Sequence, residues 1–548
     1  MPPRHTRAVT ACSVHAALAI ATTWPLALDW RTRIPLGAEN VATVPEFNLW
    51  TLRWNAERLA HGFRGYWDAP IFWPTKGTFA RSEAQPLTGL LYALLHPFGG
   101  DVGAYNLTLW SLLVLNGLAL TLLARRLGAT FVPALLAGAL GQTLAFVFNE
   151  LGVLQLAPLF PLWLLLERLV AYHRAPSAAR LGAAGAWLGV MALVSGYYAL
   201  FTALALLVIG PLLVAGRRSS LRLLAELAIA AVVAATIAAP FSLAQRANTG
   251  GETWSDETVL ANSARPLDWI QRDGATVPVP WARERAGGTA LFAGGILLGL
   301  ATLGVVVSTR RRDQRLVIGC LGAVTVLVLV SFGTRVRWGD VAPYTFLRDH
   351  VDGFDRLRSP FRAAAIAHAF IAVLAALALA WMWRRPAGRI LAVAFVVGSV
   401  VETIHWDQPT ATVPDVARFD WVQWLHDAPE GAVAMVPFPG SGSVYDYEAT
   451  TIAMLAGLEH GHPLVNGYTG LFPETYRQLR AVMQSFPDRA SIAQLGKHDV
   501  RYIVVRHDFA LYAVTTTALP ELGYDLAFAG DVRDVWVTRQ PSSPATTP

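Results

Sequence analysis

The chain has 548 residues, of which 54% are hydrophobic types and only 15% are charged, with a net charge of +6. A soluble domain carries roughly 25% charged residues, and mean hydropathy here is +0.41. These figures exclude a single soluble enzyme, a disordered chain and a collagen-like chain, and point to a polytopic membrane protein.

A spanning helix needs about 20 mostly apolar residues. Eleven stretches qualify, at about 9–29, 103–123, 130–148, 151–171, 181–195, 197–215, 222–241, 288–307, 315–331, 363–383 and 388–405. The run 181–215 is too long for one span, and Gly196 is its natural turn. The run 86–97 is too short to span and reads as interfacial or re-entrant. The first span lacks a small-residue cleavage site and reads as an uncleaved anchor.

Arginines set the orientation. Lys76 and Lys497 are the only lysines. Sixteen arginines fall in six short segments: Arg4 and Arg7; Arg125 and Arg126; Arg174 and Arg180; Arg217, Arg218 and Arg222; Arg310, Arg311, Arg312 and Arg315; Arg384, Arg385 and Arg389. The positive-inside rule places all six in the cytoplasm. The N-terminus is then inside and the C-terminus outside. The excess positive charge is explained as topology, so no nucleic-acid partner is needed. Cys12 and Cys320 both lie in apolar runs, which leaves neither a disulfide framework nor a CxxC metal site.

With that orientation the long segments are external: loops 30–102, 242–287 and 332–362, and a tail from 406. Long loops carry structure or function. In the first loop, Thr43-Val44-Pro45-Glu46 fits a capping box opening a helix to about residue 60. Phe47, Trp50 and Trp54 form one aromatic stripe on it. Ser82-Glu83-Ala84-Gln85 fits a second capping box before 86–97. Two amphipathic helices joined by the aromatic loop 67–74 are expected to lie along the membrane surface. The tail regains charge and turn residues at Trp406. Residues 432–437, 503–505 and 535–537 read as strands, and 446–458 and 473–485 as helices. The expected architecture is a membrane all-α polytopic bundle (1–405) with a small external α/β domain (406–548).

Several stretches carry a resemblance when taken in order: Thr23-Trp24-Pro25-Leu26, Asn48-Leu49-Trp50 through Trp54, Ile71-Phe72-Trp73-Pro74, Leu154-Gln155-Leu156, Ser195-Gly196-Tyr197-Tyr198, Gly353 through Arg362, Asn466-Gly467-Tyr468 and Val500 through Val505. Through nearly the whole chain the sequence resembles a bacterial group of GT-C superfamily-like membrane glycosyltransferases. The resemblance implies transfer of a sugar from a polyprenyl-phosphate-linked donor to an envelope or lipid acceptor, at the external face of a bacterial inner membrane. It also implies that an acidic residue of the first external loop serves as base or metal ligand. That group tends to carry a Gly-Asp pair just before the Asn-x-Trp stretch, where this chain has Thr43 and Val44. It often has His where this chain has Val153.

Sugar transfer with inversion needs a carboxylate near the acceptor hydroxyl and a cation for the departing phosphate. Glu46, at a helix N-terminus, is the first candidate base, and the capping box is its structural alternative. Glu39, in a turn, and Glu83, in the group's Ser-Glu pair, are the others; a solvated loop acid and a first-turn acid are the plain readings of these two. Glu150 could add a carboxylate between two spans, or be a turn acid. Asp68 lies among aromatics but precedes Pro70. Arg358 and Arg362 flank Pro360 at headgroup depth and suit phosphate, or else snorkel. Tyr197 could hydrogen-bond a sugar or belong to the aromatic belt. His460 and His462 read as an ordinary polar turn, and His15 and His368 as hydrogen-bonded bundle residues.

Walker, GxGxxG, GxSxG and HExxH motifs are absent. No metal ligand set stands out, and the resemblance leaves a divalent cation open. The expected partners are the bilayer, a lipid-linked sugar donor and a glycan, lipid or protein acceptor. The departures at Thr43, Val44 and Val153 keep open an inactive GT-C-shaped protein that binds or scaffolds lipid-linked glycans. A secondary transporter has less support, since no internal repeat is visible.

Overall fold

The computed structural model describes residues 4–216, 218–249, 251–273, 282–285, 288–308, 311–337, 339 and 342–539. Arg217, Arg310 and the Pro, Ser and Thr residues of the last few positions lie outside them. The helices are, in chain order, α1 (Arg4–Thr22), α2 (Thr43–Ala60), α3 (Pro86–Leu127), α4 (Phe131–Gln142), α5 (Ala145–Asn149), α6 (Phe160–Arg174) and α7 (Ala178–Val194). Then come α8 (Gly196–Val214), α9 (Ser220–Asn248), α10 (Asp256–Ala261), α11 (Gly295–Val307), α12 (Arg311–Ser331), α13 (Pro343–His350), α14 (Ala363–Met382) and α15 (Pro386–Thr403). The last five are α16 (Asp420–Asp427), α17 (Glu448–His460), α18 (Glu474–Val482), α19 (Arg489–Lys497) and α20 (Tyr512–Glu521).

Two compact units are present. The first comprises Met1–Glu39, Gln85–Leu243 and Glu252–Thr410; the second comprises Asn40–Ala84, Ala244–Gly251 and Ala411–Pro548. The boundary is therefore not a single cut at 405/406, because residues 40–84 fold with the C-terminal part.

The first unit is helical. Each of the eleven apolar stretches coincides with helix over at least part of its length. Among the described residues, eight helices are long and apolar enough to cross a membrane, and Ala178–Val194 and Gly295–Val307 are shorter apolar helices. The break in 181–215 falls at Ser195, which is extended (φ −151°, ψ 116°), and Gly196 opens α8. The run 86–97 is the first part of α3; Gly100 (φ 63°, ψ −164°) interrupts the helix behind it. Leu90, Leu94 and Phe98 stay exposed, spaced four apart on one face. Gln85, not Ser82, precedes this helix, in a left-handed conformation with no side-chain cap, so the second capping box does not form.

Helix α14 is buried along almost its whole length. Its alanines leave room for neighbours to approach closely. A Cβ on Gly304 of α11 would lie 2.0 Å from the Leu374 carbonyl oxygen, the small-residue packing typical of membrane helices. Two buried histidines inside this unit find polar partners. His15 meets Gln142 Oε1 through Nδ1 (2.7 Å) and Thr121 Oγ1 through Nε2 (3.1 Å). His368 Nε2 meets the Leu291 carbonyl at 3.0 Å.

The second unit carries a four-stranded sheet of β1 (Ala432–Val436), β2 (Val500–Arg506), β3 (Tyr524–Ala529) and β4 (Arg533–Thr538), in the order β1-β2-β4-β3. β1 and β2 are parallel; β2 with β4 and β4 with β3 are antiparallel. β1 is buried at every position, which explains why it reads as a continuous apolar run. Strand β3 was not legible, because its residues alternate irregularly between buried and exposed. His460 and His462 flank the left-handed Gly461 turn that ends α17, and both are buried: the His462 N–H donates to His460 Nδ1 (3.1 Å), and His462 Nε2 meets the Leu425 carbonyl (2.7 Å).

Helix α2 belongs to this unit. It starts where expected, but no capping box forms: Ala42 is the N-cap, and Thr43 Oγ1 donates to the Val444 carbonyl (2.8 Å). Its aromatic stripe is protein interior and not a membrane-facing surface. Trp50 stacks between Phe47 (5.8 Å) and Trp54 (6.5 Å), with Phe79 and Tyr468 packed against the row. Aromatic rings at helical spacing fit a protein core as well as a headgroup layer, and here the rest of the unit covers them.

Candidate functional site

Two turns of the first unit interlock. The Ala38 N–H donates to the Asn149 carbonyl at 2.7 Å. Gly37 is left-handed (φ +60°), and a Cβ there would lie 2.7 Å from both Asn149 O and Leu151 N. From the opposite turn, a Cβ on Gly152 would lie 2.3 Å from Leu36 O and 3.2 Å from Glu39 Cγ. Only glycines allow this approach. The interlock brings Glu39 on one turn and Glu150 on the other into a single neighbourhood. Asn149 extends it, donating from Nδ2 to the Ala290 carbonyl (3.1 Å).

Cations face this pair. Arg362, Arg358 and Arg285 act electrostatically on Glu39; Arg362 and Arg285 act on Glu150, as do Glu39 and Asp273 with opposite sign. Burial is the larger influence on both carboxyls. It raises Glu39 above the ordinary carboxylate range, although the three arginines oppose it. It pushes Glu150 up to about 7, against Arg362 and Arg285. Glu150 is thus no fully solvated turn acid: it is half-buried, with its proton poised near neutrality.

The arginines are held from behind. Arg362 is 8% exposed, at the N-cap of α14, with its guanidinium 4.7 Å from the Tyr197 ring centroid. The Arg358 guanidinium lies 5.1 Å from the Trp254 ring, and the Arg358 N–H donates to Tyr197 Oη at 3.0 Å. Trp254 is fixed in turn by its Nε1–H to the Arg356 carbonyl (3.1 Å) and by Arg348 Nη2 to its own carbonyl (2.8 Å). Tyr198 donates to the Leu156 carbonyl at 2.6 Å.

Glu39, Glu150, Arg358, Arg362 and Tyr197 therefore come together. The remaining three candidates fold into the second unit, each in its own surroundings. Glu46 is 2% exposed, and its Oε2 lies 2.6 Å from Thr451 Oγ1. Burial, with Glu448 nearby, pushes it up to about 8 although Thr451 opposes this. Asp68 Oδ1 accepts from the Gly77 N–H at 2.8 Å, which closes the loop between them. Glu83, two residues after the 3-10 turn Thr78–Arg81, is half-buried, and the carbonyls of Ala80 and Ser82 accept from Gln245 Nε2.

Arg285, Asp273 and Trp254 carried no sequence signal beyond lying in the loop 242–287. Arg285 pairs with Asp273 at 3.3 Å. No group of three or more His, Cys, Asp or Glu side chains gathers as for a metal ion among the described residues.

This arrangement sits on a known kind of scaffold. The arabinofuranosyltransferase AftD from Mycobacteria superposes with a TM-score of 0.58 at 15% identity, covering 98% of this chain and 42% of AftD. ArnT from Cupriavidus metallidurans, bound to undecaprenyl phosphate, gives 0.49 at 13% identity, covering 97% of this chain and 98% of ArnT. The Archaeoglobus fulgidus oligosaccharyltransferase gives 0.46 at 13% identity, covering 98% and 75%. The likeness to AftD defines a GT-C-like fold in a multi-pass membrane protein. The chain spans less than half the length of AftD. It belongs to the family described as Domain of unknown function (DUF6311), whose family model matches residues 64–400. No curated protein matches it.

Proposed function

We propose that this protein is a GT-C-type glycosyltransferase that moves a sugar from a polyprenyl-phosphate donor to an acceptor hydroxyl at the external face of a bacterial inner membrane. Eleven spans, a cytoplasmic N-terminus and an external C-terminal domain complete this reading. One observation carries it: a pair of half-buried carboxyls, Glu39 and Glu150, shares one neighbourhood with Arg358 and Arg362.

In the proposed reaction Glu150, with Glu39 beside it, takes the proton of the acceptor hydroxyl. The acceptor oxygen attacks the anomeric carbon, and the bond from that carbon to the phosphate oxygen breaks. The electron pair leaves on the polyprenyl phosphate, whose added charge Arg358 and Arg362 receive. A carboxyl titrating near 7 is matched to proton abstraction at neutral pH. Glu46 and Glu83 are the competing bases.

The test uses purified full-length protein in nanodiscs with polyprenyl-phosphate-linked sugars and measures transfer. The expected result is turnover in wild type that falls by about 10²-fold or more in Glu150→Gln and persists in a Glu46→Gln, Glu83→Gln double variant. Loss in the double variant with Glu150→Gln unaffected would return the base to the second unit. A second reading, binding without turnover, is favoured by the burial of Glu46 and by Thr43 and Val44 at the expected Gly-Asp positions. Donor binding with no transfer to any acceptor would select it.

A further inference from the structure

Tyr197 stands in an unusual relation to the two arginines. Its ring faces the Arg362 guanidinium at 4.7 Å, while its hydroxyl accepts the backbone N–H of Arg358 at 3.0 Å. It is 7% exposed, so little of it is open to a sugar. Its place is fixed by the chain on both sides: Ser195 is buried and extended, and Tyr198 is pinned to Leu156. One side chain thus touches both ends of the segment 358–362.

We infer that Tyr197 is a positioning residue that couples Arg358 and Arg362 into one anion-binding clamp, and not a sugar-binding residue. The inference rests on the proposed function, in which these arginines receive a phosphate. The physical reasoning is direct. Arginine has many rotamers, and two freely moving guanidiniums lose much of their entropy when they close on one phosphate. An aromatic face holds a guanidinium by its quadrupole while leaving the N–H edges in the ring-parallel plane for oxygens. The hydroxyl fixes the backbone from which the second arginine projects. Pre-ordering of this kind strengthens binding without adding a ligand contact. Trp254 serves Arg358 alone in the same way, whereas the Tyr197 side chain touches both arginines.

The test titrates undecaprenyl phosphate into full-length protein in nanodiscs, with empty nanodiscs subtracted. The variants are Tyr197→Phe, Tyr197→Leu, Arg362→Gln and the Tyr197→Leu, Arg362→Gln double variant. Tyr197→Phe keeps the ring and should weaken binding about 3-fold. Tyr197→Leu removes both contacts and should weaken it about 10- to 30-fold. In the Arg362→Gln background, the same Leu change should cost only about 3-fold, because the ring no longer has a cation to hold. A packing role alone would give equal losses in both backgrounds. Wild-type binding that is unchanged in Tyr197→Phe, or a fully additive double variant, overturns the inference and leaves the proposed function standing. The Phe variant keeps the first of these decisive should the Leu variant not fold. No binding by wild type overturns the proposed function, and the inference with it.

Discussion

Glu46 gives the sharpest test of the physical reading. Its carboxyl is 2% exposed and lies 2.6 Å from Thr451 Oγ1, which also meets the carbonyls of Glu448 (2.9 Å) and Tyr447 (3.4 Å). The Thr451 hydroxyl donates to this carboxyl and opposes the effect of burial without overcoming it. Burial pushes the carboxyl from 4.5 to about 8. A raised folded value means the folded state holds its proton longer than the unfolded one. The resulting stability is fully present below about 4.5 and is lost as pH rises through 8. At about 1.4 kcal/mol per pH unit, the full loss is on the order of 5 kcal/mol. Glu46→Gln keeps an acceptor for the Thr451 hydroxyl in its amide oxygen and has no proton to lose. The assay is the melting temperature of the full chain in nanodiscs from pH 5 to 9, wild type against variant. At pH 5 the two should nearly coincide. Above pH 8 the variant should be the more stable, with the gap opening between these limits. Parallel curves across the range would mean that Glu46 is solvated or already ionised, and the reasoning would fail.

Transfer activity, where detected, should rise with pH through about 7 as Glu150 loses its proton, and Glu150→Gln should abolish that limb; a flat wild-type profile would remove Glu150 as base. Glu402 accepts the backbone N–H groups of Gly295 (2.7 Å) and Ile296 (3.0 Å) at the start of α11. Glu402→Ala should therefore cost about 2 kcal/mol, read as a lowered melting temperature. A Cβ on Gly138 would lie 2.1 Å from Thr121 Oγ1 and 2.4 Å from the Gly117 carbonyl, so Gly138→Ala should destabilise by about 1–3 kcal/mol; an unchanged melting temperature would contradict this packing. For topology, alkaline phosphatase fused after residue 548 should be active and a fluorescent protein there dark, and the reverse would invert the orientation.

Long-period apolar patterns were legible because a helix in lipid must hide its backbone for its whole length, and this requirement repeats at every span. The tail was legible in part for a related reason: β1 is buried on both faces and reads as an unbroken apolar run. Element ends were less legible. Thr43 and Ser82 both carry the residue types of a cap, yet the Thr43 hydroxyl donates to the Val444 carbonyl, and Gln85 in a left-handed turn precedes α3. In each case a tertiary contact or a turn displaced a local rule. The aromatic stripe on α2 failed differently. A row of tryptophans at helical spacing specifies only that something apolar covers it, and spacing cannot distinguish lipid from protein.

The site shows the same division between chemistry and surroundings. Sequence favoured Glu46 because it stands at a helix start beside the Asn-x-Trp stretch, and rated Glu150 a turn acid. Both carboxyls are raised by burial, so desolvation alone cannot say which one could act. What separates them is the company each keeps. The hydroxyl of Thr451 meets Glu46 inside a packed helix pair, and the charged group that acts on it there is another carboxyl, Glu448. Glu150 is half-buried and stands opposite Arg362, with Glu39 close by. A base must give up its proton to the medium after each turnover and must work beside a group that takes the charge it creates. Only the second environment satisfies both conditions. It depends on Gly37 and Gly152 letting two sequence-distant turns touch, a contact that no reading of 36–39 or of 149–152 alone could supply.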